Sequence, residues 1–224
     1  MTRFPARHEV PEFGVFASLL RMSTKYGFSD VRNQLINDLK AAYPTKWKDF
    51  EAARTTGEDV FGMPKPYPNA VLNLFLTQNI KFAIPFAAYR ASLAGFPALV
   101  SNSPFTALPR FTLASTVHGK GEILRMMIQA AYTIAYKENV HRVCPDKACG
   151  LNVGIKPIER RMEALTKLHD AMIVEGNVLA APSLGDIVCA KCRKVIEESH
   201  AGWRRRCWDL LPVKFSVARC WDEV

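Results

Sequence analysis

Four of the six cysteines form two close pairs, Cys144-x4-Cys149 and Cys189-x2-Cys192, with 39 residues between the pairs. Two thiols on one tight turn can point both sulfurs at a single ion, and a structural zinc site takes four ligands in a tetrahedron. Pro145 and Gly150 suit such a turn around the first pair. A helix start after Cys189 suits the second, because free amides at a helix N-terminus stabilise negative charge. The spacing therefore predicts Cys144, Cys149, Cys189 and Cys192 as ligands of a structural zinc ion. Four protein ligands close the coordination sphere, so such an ion staples the chain and leaves no position for a substrate. Buried free thiols are the competing reading, since cysteine packs readily in cores. His141 or His200 can replace one thiolate, but both read better as surface or capping residues. Cys207 falls on an apolar helical stripe and Cys220 near the end of the chain. A redox role for Cys189-Ala-Lys-Cys192 lacks the strand-helix context that a thioredoxin-like fold would show.

Other chemistry is hard to find. The chain has no Gly-x-Ser-x-Gly, no His-Glu-x-x-His and no phosphate loop; His118-Gly119-Lys120-Gly121 lacks the Walker spacing, and its glycines read as the start of a helix. Glu58-Asp59 and Glu197-Glu198 read as solvated surface. An enzyme is not expected.

The elements that must position the cysteines are helical. Apolar residues recur at three and four over Phe13–Tyr26, closed by Gly27, and again after Ser29, which reads as the cap of a helix carrying Val31, Leu35, Ile36 and Leu39. A short helix follows Thr45, around Trp47 and Phe50. Residues 55–68, with Gly57, Gly62, Pro64, Pro66 and Pro68, read as a loop in which Val60, Phe61 and Met63 dock on the core. Further helices are expected over 69–82, 85–93, 121–140, 156–174 and 189–211, with 95–112 irregular and Pro212 as the final stop. The last helix carries its apolar stripe on Cys192, Ile196, Trp203, Cys207 and Leu210. No sustained alternation of period two is present, so the fold class is all-α: an irregular multi-helix array whose C-terminal part is stapled by zinc. The segments are 12–55, a helix pair; 60–140, a helical core; and 141–215, the cysteine-pair region, together forming one continuous unit.

With 224 residues, 49% hydrophobic and 23% charged, the chain is neither disordered nor fibrous in composition. Its net charge of +9 is spread along it: residues 1–112 carry 13 bases and 8 acids, and residues 113–224 carry 17 and 13. There is no polybasic tail. The 62 residues from Val60 to Gly121 contain no acid, only five bases and half of the 14 prolines. Burial explains that stretch best; a partner surface is the other reading. The longest uncharged run, Ala91 to Pro109, is broken by three prolines, so no membrane span is expected. The first residues lack the apolar core of a secretory signal, which makes an intracellular location, cytoplasmic or nuclear, the expectation. Lys191, Arg193, Lys194 and Arg204 to Arg206 give the last helix a basic stretch able to meet phosphates. A solvated face is the simpler account of it.

Several segments form a recognisable order: Leu19-Leu20-Arg21-Met22-Ser23-Thr24-Lys25-Tyr26, Val31-Arg32, Ala42-Tyr43-Pro44-Thr45-x-Trp47, and Ile84-Pro85-Phe86-Ala87-Ala88-Tyr89-Arg90. The Cys pairs and the closing His200-Ala201-Gly202-x4-Cys207-Trp208-Asp209-Leu210-Leu211-Pro212 complete it. Together they resemble the C-terminal helical region of fungal, basidiomycete-type BTB/POZ domain proteins. The resemblance covers about residues 12–215 and begins after the point where the BTB core would lie. It implies a non-enzymatic protein-interaction or adaptor module with a protein partner, and one face of the first helix pair exposed where that core would pack. Dimerisation and ligase recruitment, which belong to the core, do not carry over. The alternative is a zinc-stabilised nucleic-acid-binding protein using the basic last helix.

Overall fold

The structure, a computed structural model, describes residues 13–56, 68–93, 108–134, 149, 166–167, 179 and 188–224. Their regular elements are all helical: α1 (Phe13–Tyr26), α2 (Ser29–Ala42), α3 (Trp47–Thr56), α4 (Pro68–Thr77), α5 (Ile84–Leu93), α6 (Arg110–Tyr132) and α7 (Ala190–Lys214), with short 3-10 turns at Lys81–Ala83 and Trp221–Glu223. The protein is all-α. The expected helix over 156–174 lies outside the described residues except for Thr166 and Lys167, which are helical. So do most of the loop over 55–68 and residues 94–107 of the irregular stretch.

Contacts divide the chain into two units: residues 1–119 with 211–224, and residues 120–210. The division falls inside α6 and α7, so the expected segments 60–140 and 141–215 each contribute to both.

The first unit is built on rings. Tyr43, which closes α2, meets Phe75 of α4 edge-on at 4.8 Å and Phe86 of α5 at 5.8 Å. Phe50 of α3 reaches the same Phe86 at 5.5 Å, and Trp47 lies against Phe50 at 5.3 Å. Edge-to-face pairs of this kind add to the burial of the rings themselves. Four helices thus share one aromatic cluster. Helices α4 and α5 are buried on nearly every side, with only Thr77 fully exposed between Pro68 and Thr77. That accounts for the missing acids here: a helix apolar all round has no wet face to carry them.

Helix ends follow local chemistry. Gly27 takes φ 70°, and the Phe28 N–H donates back to the Ser23 carbonyl at 2.9 Å, ending α1 at the expected residue. Ser29 does not cap α2; it is the first helical residue, and Phe28 holds the cap position without a side-chain hydrogen bond. The helix expected over 69–82 stops at Thr77. Asn79 adopts φ 54°, its N–H donates to Leu76 and the Ile80 N–H donates to Phe75, a left-handed cap that satisfies the last carbonyls. Ile80 and Phe75, both buried, supply the apolar contact that accompanies such a cap.

Two glycines and a proline depart from expectation. Helix α6 begins at Arg110 and runs straight through Gly119 and Gly121, rather than starting at them. The reason lies at Gly119: a Cβ there would sit 2.6 Å from the Phe215 ring and 2.8 Å from the Lys214 carbonyl oxygen. Glycine is present because two backbones approach closely, and that contact outweighs its poor helix propensity. Pro212 does not stop α7, which continues to Lys214. In the last turn a missing N–H costs one helical bond only. The Phe215 N–H still reaches Leu211, and Ser216, at φ 57°, forms a second left-handed cap.

Candidate metal centre

In the second unit α6 buries Ile123, Met127, Ala130 and Ala131, and Ile134 just past its end is buried too. Ile128 beside them is 46% exposed and Leu124 half-buried. The buried stripe of α7 is rotated from the expected one. Cys192, Ile196 and Cys207 lie on it, but Trp203 and Leu210 are only half-buried, and His200, Arg204 and Trp208 take the inward positions. The Cys207 Sγ meets the Met127 Sδ at 3.9 Å, a soft contact between the two stripes.

His200 is therefore not a surface or capping histidine: it is fully buried. Arg204 is 5% exposed, and its Nη1 donates to the Leu179 carbonyl at 3.4 Å. The basic triad at the end of the last helix is thus broken up. Arg205 and Arg206 remain exposed, and the Arg206 guanidinium lies 5.1 Å above the Trp203 ring. Sequence reasoning missed the burial of both side chains because it assigns polar residues to the wet face. Their four-residue spacing from Cys192 and Ile196 was the available signal.

At the N-terminus of α7 three cysteines converge. The sulfurs of Cys149, Cys189 and Cys192 all lie within 4.8 Å of one another. Cys149 and Cys192 are buried and Cys189 is half-buried. Cys189 holds the cap position, since its carbonyl accepts the Arg193 N–H at 2.8 Å, and Cys192 sits in the first turn. A two-residue spacing across a helix start thus places both sulfurs at the positive end of a 25-residue helix, where negative charge is favoured.

The donor set fits a metal. Zinc bound to thiolates at about 2.3 Å in a tetrahedron separates its sulfurs by about 3.8 Å, so small side-chain rotations would close this cluster around an ion. Three soft donors select zinc or another thiophilic metal over calcium or magnesium. Three of the four expected ligands are brought together. The fourth, Cys144, and the substitute His141 lie outside the described residues, and His200 is not part of the cluster. Cys207, elsewhere on α7, shows what burial does without such a setting: desolvation pushes its thiol up to about 12, so it stays neutral. Cys220 is exposed.

Comparison with known proteins adds no assignment: no protein-family model, no curated protein and no solved structure matches this chain. No helix among the described residues is long and apolar enough to cross a membrane.

Proposed function

We propose that this chain is a non-enzymatic protein-interaction module whose cysteine-pair region is held by a structural zinc ion on Cys144, Cys149, Cys189 and Cys192. The observation that carries the interaction reading is a second apolar stripe on α1. Phe16, Ala17 and Leu20 face the core, while Val15, Leu19, Met22 and Tyr26 follow one another at helical spacing beside them. Val15 is 52% exposed, Met22 51% and Tyr26 58%, and Phe28, also more than half exposed, lies 6.2 Å from the Tyr26 ring. An exposed apolar row of this kind marks a binding face more often than a solvated one. Arg21 and Lys25 flank it and α1 contains no acid, which suits an amphipathic partner helix with acidic flanks. The resemblance to the C-terminal region of BTB/POZ proteins points to the same class of function.

The test is photo-crosslinking from a benzophenone side chain at position 22, followed by binding of the identified partner in purified form. Met22→Glu with Tyr26→Glu is expected to weaken that binding at least about tenfold, the cost of burying two charges in an apolar seam. Binding of DNA or RNA that Arg205→Ala with Arg206→Ala abolishes would favour the nucleic-acid reading instead. Burial of Arg204 and the stacking of Arg206 on Trp203 already reduce the charge which that reading has to work with.

A further inference from the structure

The first unit contains a half-open cleft of about 330 Å³. That is within the range of small-molecule sites and far too narrow for a helix. Its walls are apolar: Leu72 and Leu76 of α4, Ile84 and Ala88 of α5, and Phe215. Phe215 is seated there by the close approach at Gly119. One side differs, because Thr112, Ser115 and Thr116 of α6 line the cleft with hydroxyls. Thr116 is 1% exposed and its Oγ1 has no hydrogen-bond partner, although a helical threonine ordinarily bonds the carbonyl one turn back. Thr24 of α1 does so, at 2.8 Å. Leaving a buried hydroxyl unsatisfied forfeits its hydration, which a bound polar group can recover.

Two further lining residues indicate the ligand. Phe111 is 75% exposed, the highest value among the exposed large apolar residues described. Lys81 and Glu223 are the charged side chains in the lining, and Glu223 already accepts the Arg219 N–H at 2.9 Å. That neutral amide leaves the Glu223 charge in place, and Lys81 is the cation of the lining that can meet an anionic head group.

The geometry points to a binding site for a medium-chain aliphatic carboxylate, with its chain between α4, α5 and Phe215 and its head group among Lys81 and the α6 hydroxyls. At about 30 Å³ per non-hydrogen atom, as in liquid water, the cleft holds a saturated acid of about ten carbons. This site is independent of the α1 face and of the metal centre.

Isothermal titration of decanoate into the full chain tests it, with decanol and decylamine as head-group controls. Saturable decanoate binding is expected, weaker by about threefold in Lys81→Gln, the worth of one exposed charge pair. Phe111→Ala should cost about fivefold, one aromatic contact, and leave folding intact because that ring is exposed. Ala88→Phe fills the cleft and should abolish binding in protein whose circular dichroism remains helical. No saturable heat up to about 1 mM decanoate would overturn the proposal. So would unchanged affinity in both Phe111→Ala and Ala88→Phe, or decanol or decylamine binding as tightly as decanoate.

Discussion

The two units hold themselves together by different means. In the first, Tyr43, Phe50, Phe75 and Phe86 form a ring cluster that needs only water exclusion and good packing. In the second, the described stripe of α7 buries a histidine and an arginine among its apolar residues, and three thiols converge at the helix start. Burying polar groups is costly unless each finds a partner. A metal ion on the three thiols would tie the start of α7 to Cys149 by bonds that the ring cluster of the first unit does not use. The contrast is between a core packed from rings and one that carries a histidine, an arginine and a thiol cluster.

Metal removal should break that contrast most sharply. Structural zinc contributes about 10 kcal/mol or more to the folding of small zinc modules, so dialysis against a strong chelator should unprotect the start of α7. Hydrogen exchange over Lys191–Ile196 is expected to accelerate by orders of magnitude, while α4 and α5 keep their protection. Equal exchange with and without chelator would remove the metal from the account. Next in size, Phe75→Ala removes the fully buried ring that Tyr43 meets edge-on. It should cost about 3–5 kcal/mol in a denaturant titration.

A pair of glycine substitutions sharpens the comparison with opposite signs. Gly119→Ala drives a methyl into Phe215 and the Lys214 carbonyl and should destabilise by about 1–3 kcal/mol. Gly202→Ala, on α7 with nothing within 4 Å of its Cβ, should stabilise by about 0.5–1 kcal/mol through helix propensity alone. Thermal melts of the two variants read both.

The effect that vanishes at neutral pH concerns Cys207. Its folded value of about 12 stands above the ordinary 9.0, so between these pH values the unfolded chain has released a proton that the native one retains. Stability is then fully present below pH 9 and falls as pH rises toward 12. The loss is about 1.4 kcal/mol at pH 10. The difference between wild type and Cys207→Ala should show that slope, and iodoacetamide should label exposed Cys220 and spare Cys207 in the native protein.

Legibility in the sequence followed how local the determining physics was. The bounds of α1 could be read because an apolar period and Gly27 lie in one short window. The stop at Asn79 was missed because asparagine is a weaker mark of a left-handed cap than glycine, and the apolar pattern continues past it to Phe82. Gly119 was misread because its reason, the ring of Phe215, lies 96 residues further along the chain. His200 and Arg204 were placed on the surface by polarity, when their register with Cys192 and Ile196 put them inside.

By itself the sequence determined that this protein is helical throughout its described elements, that the acid-free residues of α4 and α5 are largely core, and that four of its six cysteines come in two pairs. These are properties of composition and short-range period, set within a few turns of helix. Only the tertiary structure decided that Cys149 joins Cys189 and Cys192, that Gly119 serves a close approach, and that a hydroxyl-lined cleft opens beside Phe215. Each depends on residues brought together from distant positions, and no local propensity encodes the distance between two sulfurs.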